Sequence, residues 1–215
     1  FKEITSLSKE VRGLFDNTFA IKPVKIHAAE RSLDGTIKYS FQLHDKLLIE
    51  GVLIPSKKRL TACISSQVGC SLACNFCATG KLKLTRNISA AEIYDQVFIL
   101  NEEALLNFGR PISNIVYMGM GEPLLNYNSV LTSVALITGK EGLAMSPKRI
   151  TVSTAGIAKM ITRLADDSVK FNLAVSLHSA SDEKRDGLMP LNKKINLTAL
   201  RDSVRYFYAK TGTRI

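Results

Sequence analysis

Cys70-Ser-Leu-Ala-Cys74-Asn-Phe-Cys77 places three thiols on one short stretch of chain. Three thiolates so spaced can hold three irons of an iron–sulfur cube, leaving the fourth iron open for another ligand. An open iron suits catalysis better than simple electron storage. A structural zinc takes four closed ligands. The chain has no second cysteine pair, and His27, His44 and His178 lack the spacing that would complete such a set. A disulfide within the loop would leave one thiol over. The spacing favours the open cluster, with zinc and plain structural thiols as the alternatives.

Other residues invite chemistry but have bland readings beside them. Gly119-Met-Gly121-Glu122-Pro123 reads as a tight turn, and the Gly-Lys-Ser/Thr of a phosphate loop is missing. Ser153, Ser176 and His178 follow apolar runs, where polar residues usually cap or turn. Cys63, between Ala62 and Ile64, reads as a small buried hydrophobe. Glu50 interrupts the apolar run Leu47–Ile54. It either faces solvent from a strand or, in apolar surroundings, has a raised pKa suited to a general base.

These residues need elements to position them. Val11, Leu14 and Phe15 predict a helix over Ser8–Phe19. Asp34-Gly35 is a hairpin signal between Val24-Lys-Ile-His-Ala and the alternating run Ile37–Leu43; His44-Asp45-Lys46 then turns into Leu47–Ile54. After Pro55 the rhythm becomes strand, loop, helix. Strands are expected at Leu60–Ser65, Ile115–Met118, Arg149–Ser153 and Asn172–Leu177. Ser89-Ala-Ala-Glu92 is a capping box opening a helix ended by Gly109 and Pro111. Further helices are expected at Val130–Thr138, around Ile157–Leu164, over Ser181–Leu188 and at Leu197–Tyr208. Four β/α units imply an α/β fold with a parallel sheet, and the chemistry should gather beyond the strand C-termini.

Composition limits the classes. The 215 residues are 46% hydrophobic and 22% charged, outside the disordered range. No apolar run approaches a membrane span, and no leader argues for secretion. The net charge of +10 invites a polyanion without proving one. Its basic groups, Lys57-Lys-Arg59, Lys81 with Lys83 and Arg86, Lys148-Arg149, Lys184-Arg185 and Lys193-Lys194, each read as a solvated face. Phe1 and the ending Lys210–Ile215, where a new strand is expected to begin, point to a fragment of a longer protein.

With an aromatic Phe76 before the last cysteine, the loop resembles the signature of the radical S-adenosylmethionine (SAM) superfamily. The run Cys63–Gly80, with Met118–Asn126, Val152–Gly156, Ser176–His178 and Met189–Lys193, resembles the RlmN/Cfr family of RNA methyltransferases, and RlmN-type members in particular. The resemblance implies a partial (β/α) barrel, incomplete here, in residues 57–215. An accessory β-hairpin segment at 23–56 and the end of a helical domain at 1–22 would precede it.

It further implies that Cys70, Cys74 and Cys77 bind a [4Fe–4S] cluster whose open iron chelates SAM. Gly121 and Glu122 would bind SAM, and Ser153 with Ser176, Leu177 and His178 would complete the pocket. Glu50 matches the family's proton-abstracting base. Cys63 matches the cysteine that resolves a covalent enzyme–RNA intermediate by disulfide exchange. The family's methyl-carrying cysteine is not in this sequence, so the chain alone is expected not to methylate RNA. The implied reaction is methylation of carbon 2 of adenine in 23S rRNA and tRNA. The alternatives are the Cfr-type carbon 8 reaction and a zinc-stabilised RNA-binding module without catalysis. The implied setting is a cytoplasmic monomer, off the membrane, served by an external electron donor.

Overall fold

The computed structural model describes residues 3–18 and 23–215. The first helix, α1 (Lys9–Thr18), buries no side chain among the described residues. Residues 1, 2 and 19–22, within the expected helical-domain tail, lie outside them. Three strands then run antiparallel: β1 (Lys25–Arg31), β2 (Ile37–Gln42) and β3 (Leu48–Pro55). Asp34 makes the first turn by accepting from the Thr36 amide at 2.9 Å, and Asp45 does the same for Leu47 at the second. Such Asx turns are the reason the sequence signals were readable there.

The β/α units follow. They comprise β4 (Leu60–Cys63), a small ribbon of β5 (Gln67–Val68) with β6 (Arg86–Asn87), α2 (Ala90–Phe108), β7 (Asn114–Tyr117), α3 (Tyr127–Thr138), β8 (Ile150–Thr154), α4 (Ala158–Asp166), β9 (Asn172–Val175), α5 (Asp182–Leu188) and α6 (Leu197–Thr211). The capping box on α2 is complete: Ser89 and Glu92 exchange hydrogen bonds, and Gly109 closes the helix in the left-handed conformation at φ 65°.

One seven-stranded sheet results, in the order β1-β2-β3-β4-β7-β8-β9. β4, β7, β8 and β9 are parallel, whereas β3 pairs antiparallel with β4, Val52 opposite Cys63. The hairpin segment is therefore hydrogen-bonded into the same sheet as the β/α units, which alternating patterns alone do not reveal. The sheet is open, as a partial rather than closed barrel requires.

Alternation gives its two faces different fates. Ile49 and Leu53 of β3, Ala62, Ile115, Tyr117, Ile150 and Val152 point to a face buried by Leu100 of α2, Val130 of α3, Leu164 of α4 and Leu200 of α6. The register puts Val52, Cys63, Val116 and Thr151 side by side on the opposite face. Glu50 and Ser153, two residues along from Val52 and Thr151, share it. Apart from Cys63 these residues are only partly buried or exposed.

Candidate cofactor site

The loops beyond β4, β7, β8 and β9 meet around a cavity of about 260 Å³. Cys70, Cys74 and Cys77 line it together with Gly121, Glu122, Ser153, Thr154, Ala155 and Ser176. All three cysteines are free and partly buried. Burial pushes the Cys70 and Cys74 thiols up, and Cys77 and Glu122 push each of them further.

The cysteine loop is held at both ends and in its middle. The Cys70 amide bonds to the Leu82 carbonyl, and the Cys77 amide to the Cys74 carbonyl at 3.1 Å. Asn75, between two of the cysteines, donates its amide to the Leu188 carbonyl at 2.9 Å and its side chain to Gly187. The loop is thus anchored to the end of α5.

Glu122 is 3% exposed. Its carboxylate accepts from the Leu124 amide at 3.1 Å and the Ala155 amide at 2.7 Å, joining the loops after β7 and β8. Burial holds its pKa up against these stabilising hydrogen bonds. Its own amide donates to Gln67 at 2.8 Å, the side chain over which the turn is laid. Gly121, at φ +97°, has room for no Cβ: one would lie 2.5 Å from the Gln67 side chain. The glycine lets the chain pass at backbone distance, which a lone Gly-x-Gly in sequence only suggests.

The structure gathers most of the expected residues but not all. Cys70, Cys74, Cys77, Gly121, Glu122, Ser153 and Ser176 surround the cavity. His178 stands at its edge, strained at φ +56°, with its ring 4.0 Å from that of Phe76. The Leu177 side chain instead lines a separate apolar cavity beside α6, while its carbonyl accepts from Arg185. Cys63 is buried on the open face of β4, its thiol pushed up to about 11 by burial. Glu50 has solvent rather than apolar surroundings: it is 48% exposed and pairs with Lys38 at 2.7 Å. The outward position follows from strand alternation, which puts Ile49 and Gly51 in the core instead.

Arg185 and Thr154 are the residues that sequence reasoning missed. Lys184-Arg185 read as solvated, yet Arg185 is 0% exposed. It sits in a helix too short for a clear periodic signal.

The donor set suits a cube. Among the described residues no group of three or more His, Cys, Asp or Glu converges to hold one metal ion. A single ion draws its ligands onto one point, whereas a cube takes each thiolate on its own iron. Three neighbouring thiols around a cavity with room beside them match the second arrangement.

Comparison with known proteins agrees. The family model of the radical SAM superfamily matches residues 64–212, and the chain belongs to that superfamily. The superfamily implies a [4Fe–4S] cluster and S-adenosylmethionine as cofactors. Across its length the chain is similar to proteins named RlmN. It is 54% identical to the probable dual-specificity RNA methyltransferase RlmN of Flavobacterium psychrophilum, covering all of this chain and 62% of that protein. It is 47% identical to the RlmN of Geobacter sulfurreducens, covering 96% and 56%. A crystal structure of a radical SAM methyltransferase from Sphaerobacter thermophilus superposes with a TM-score of 0.90 at 39% identity, covering 98% of this chain and 62% of the other. The chain spans about three-fifths of the length of these relatives.

Proposed function

We propose that this chain is the cofactor-binding part of an RlmN-type radical SAM RNA methyltransferase, acting in the cytoplasm on carbon 2 of adenine in 23S rRNA and tRNA. The observation that carries the reading is the convergence of Cys70, Cys74, Cys77 and the Gly121–Glu122 turn on one cavity at the strand C-termini. Similarity to proteins named as dual-specificity RNA methyltransferases supplies the substrate class.

When bound, the cluster and SAM supply a carbon-centred radical; the protein supplies position and exclusion of water. Cys70, Cys74 and Cys77 bind the cluster. Gly121 and Glu122 would bind SAM, the Glu122 carboxylate also accepting the two amides that hold the turn. Ser153 and Ser176 offer hydroxyls to its ribose or adenine, and His178 closes the rim. Cys63 and Glu50 face the open side of the sheet, where an RNA strand entering it would pass. There the Cys63 thiolate would attack the sulfur of a methyl-carrying cysteine outside this chain, forming a disulfide. That sulfur's bond to the RNA-linked carbon breaks, and its electron pair passes to the carbon, which then takes up a proton. Glu50 would accept the proton lost from the adenine carbon. Lys38 pairs with Glu50 on this face at 2.7 Å. The electron comes from an external donor.

The test is nucleoside mass spectrometry of rRNA and tRNA from cells whose own gene carries Cys70→Ala. Loss of 2-methyladenosine from both RNAs supports the reading. An unchanged level contradicts it, and loss of 8-methyladenosine instead assigns the carbon 8 reaction.

A further inference from the structure

Arg185 has the largest side chain among the fully buried residues, at 0% exposure. Its three nitrogens each reach a different segment. Nε donates to the Leu177 carbonyl after β9 at 3.2 Å, and Nη2 to the Ala155 carbonyl after β8 at 2.7 Å. Nη1 donates to Asn192 in the turn after α5. Asn192 in turn donates to Asp182 and Asp186, and Asp182 accepts from the Leu197 amide that begins α6. The acceptors on the guanidinium itself are all neutral. No carboxylate among the described residues forms an ion pair with it.

Asp182 and Asp186, held on the far side of Asn192, offset this charge without touching it, and a buried cation with no directly bonded anion is costly. Its surroundings show what anion is due there. Ala155 and Met189, which bond to Arg185 through its side chain and backbone, both line the cysteine cavity. Asn75, adjacent to Cys74, is bonded to the last turn of the same helix.

We infer that Arg185 is the fixed counter-charge of the cofactor pocket, a positioning residue that ties three loops together and favours one-electron reduction of the group held by Cys70, Cys74 and Cys77. The inference rests on the proposed cluster site. Metal-bound cysteines are thiolates, so the loaded site carries net negative charge. Reduction adds one electron and one negative charge, with no bond made or broken at Arg185. A nearby permanent cation stabilises the reduced state more than the oxidised one. Net charge and outer hydrogen bonds are established levers on such potentials.

The experiment is an anaerobic dithionite titration, followed by electron paramagnetic resonance, of the iron- and sulfide-loaded chain and its Arg185 variants. Arg185→Gln lowers the reduction equilibrium constant about tenfold, or ~59 mV, and Arg185→Lys stays within about twofold of wild type. An unchanged potential in a loaded Gln variant overturns the inference, as does a tenfold fall in a loaded Lys variant. If Gln does not load, Arg185→Met fills the space without charge and is read in the same way. Failure of both neutral variants beside a loaded, unshifted Lys variant supports the need for charge. Failure of all three assigns Arg185 to folding alone and overturns it. A wild-type chain that takes up no iron and sulfide refutes the cluster site itself, a different result from any of these.

Discussion

The Glu122 carboxylate accepts the Ala155 amide at 2.7 Å, so a buried acid after β7 fixes the loop after β8. The Ala155 carbonyl is bonded in turn to Arg185, leaving this residue held on both sides. Glu122→Ala would strand the buried amides of Leu124 and Ala155 without their acceptor. The expected loss is about 3 kcal/mol of unfolding free energy, since each buried unmet donor costs 1–3 kcal/mol. Urea unfolding of the two proteins measures it; a difference below about 0.5 kcal/mol, the range of ordinary surface changes, would contradict the clamp.

Gly121→Ala forces a Cβ to within 2.5 Å of Gln67 on a backbone at φ +97°. Both strain and collision fall on the turn that borders the cavity. The variant should lose at least about tenfold in SAM affinity by isothermal titration calorimetry of the loaded chain, because ~1.4 kcal/mol of misplacement suffices. Equal affinity would show that the turn does not set the pocket.

Acid sensitivity should come partly from Glu92. Burial pushes its carboxyl up, but the Arg86 guanidinium and the Ser89 cap outweigh that and hold it below its ordinary 4.5. A depressed carboxyl contributes stability above its unfolded value, lost as the pH falls through 4.5 and then through the folded value. Glu92→Gln should therefore cost about 2 kcal/mol near neutrality, by analogy with charged hydrogen bonds, and progressively less in acid. Denaturant unfolding across that range checks it; a constant difference would mean that packing, and not charge, is what Glu92 supplies.

Local signals were legible where one residue decides the outcome. Ser89 and Glu92 form a capping box in sequence and in space, and the spacing of Cys70, Cys74 and Cys77 marked a loop that lines the cavity. Strands β4, β7, β8 and β9 lie within the expected runs to within a residue or two. What sequence did not show depends on partners far along the chain. Glu122 reads in sequence as part of a tight turn; only the fold shows each of its carboxylate oxygens accepting a backbone amide from a different loop. Arg185 resembles Lys184 in sequence, yet one is fully buried and the other exposed, because neutral acceptors from three loops surround only one of them. Whether Glu50 is covered could not be read from its apolar run; the register puts it on the uncovered face.

Cys63 should be a slow nucleophile. Burial lifts its thiol to about 11, so little thiolate exists near neutrality, and alkylation should run at least ~100-fold slower than in an unfolded peptide. Raising the pH by one unit, still below 11, should raise the rate about tenfold. Mass-spectrometric tracking of iodoacetamide labelling at Cys63 in the folded chain measures both. Labelling at the peptide rate would contradict its place in the sheet.

The central claim is that Cys70, Cys74 and Cys77 share an iron–sulfur cube. Anaerobic reconstitution of the chain with iron and sulfide, followed by metal and sulfide analysis, tests it most directly. The account predicts a brown protein holding iron and inorganic sulfide in equal amounts, and loss of both in Cys74→Ala. A colourless protein that binds zinc and no sulfide would contradict it.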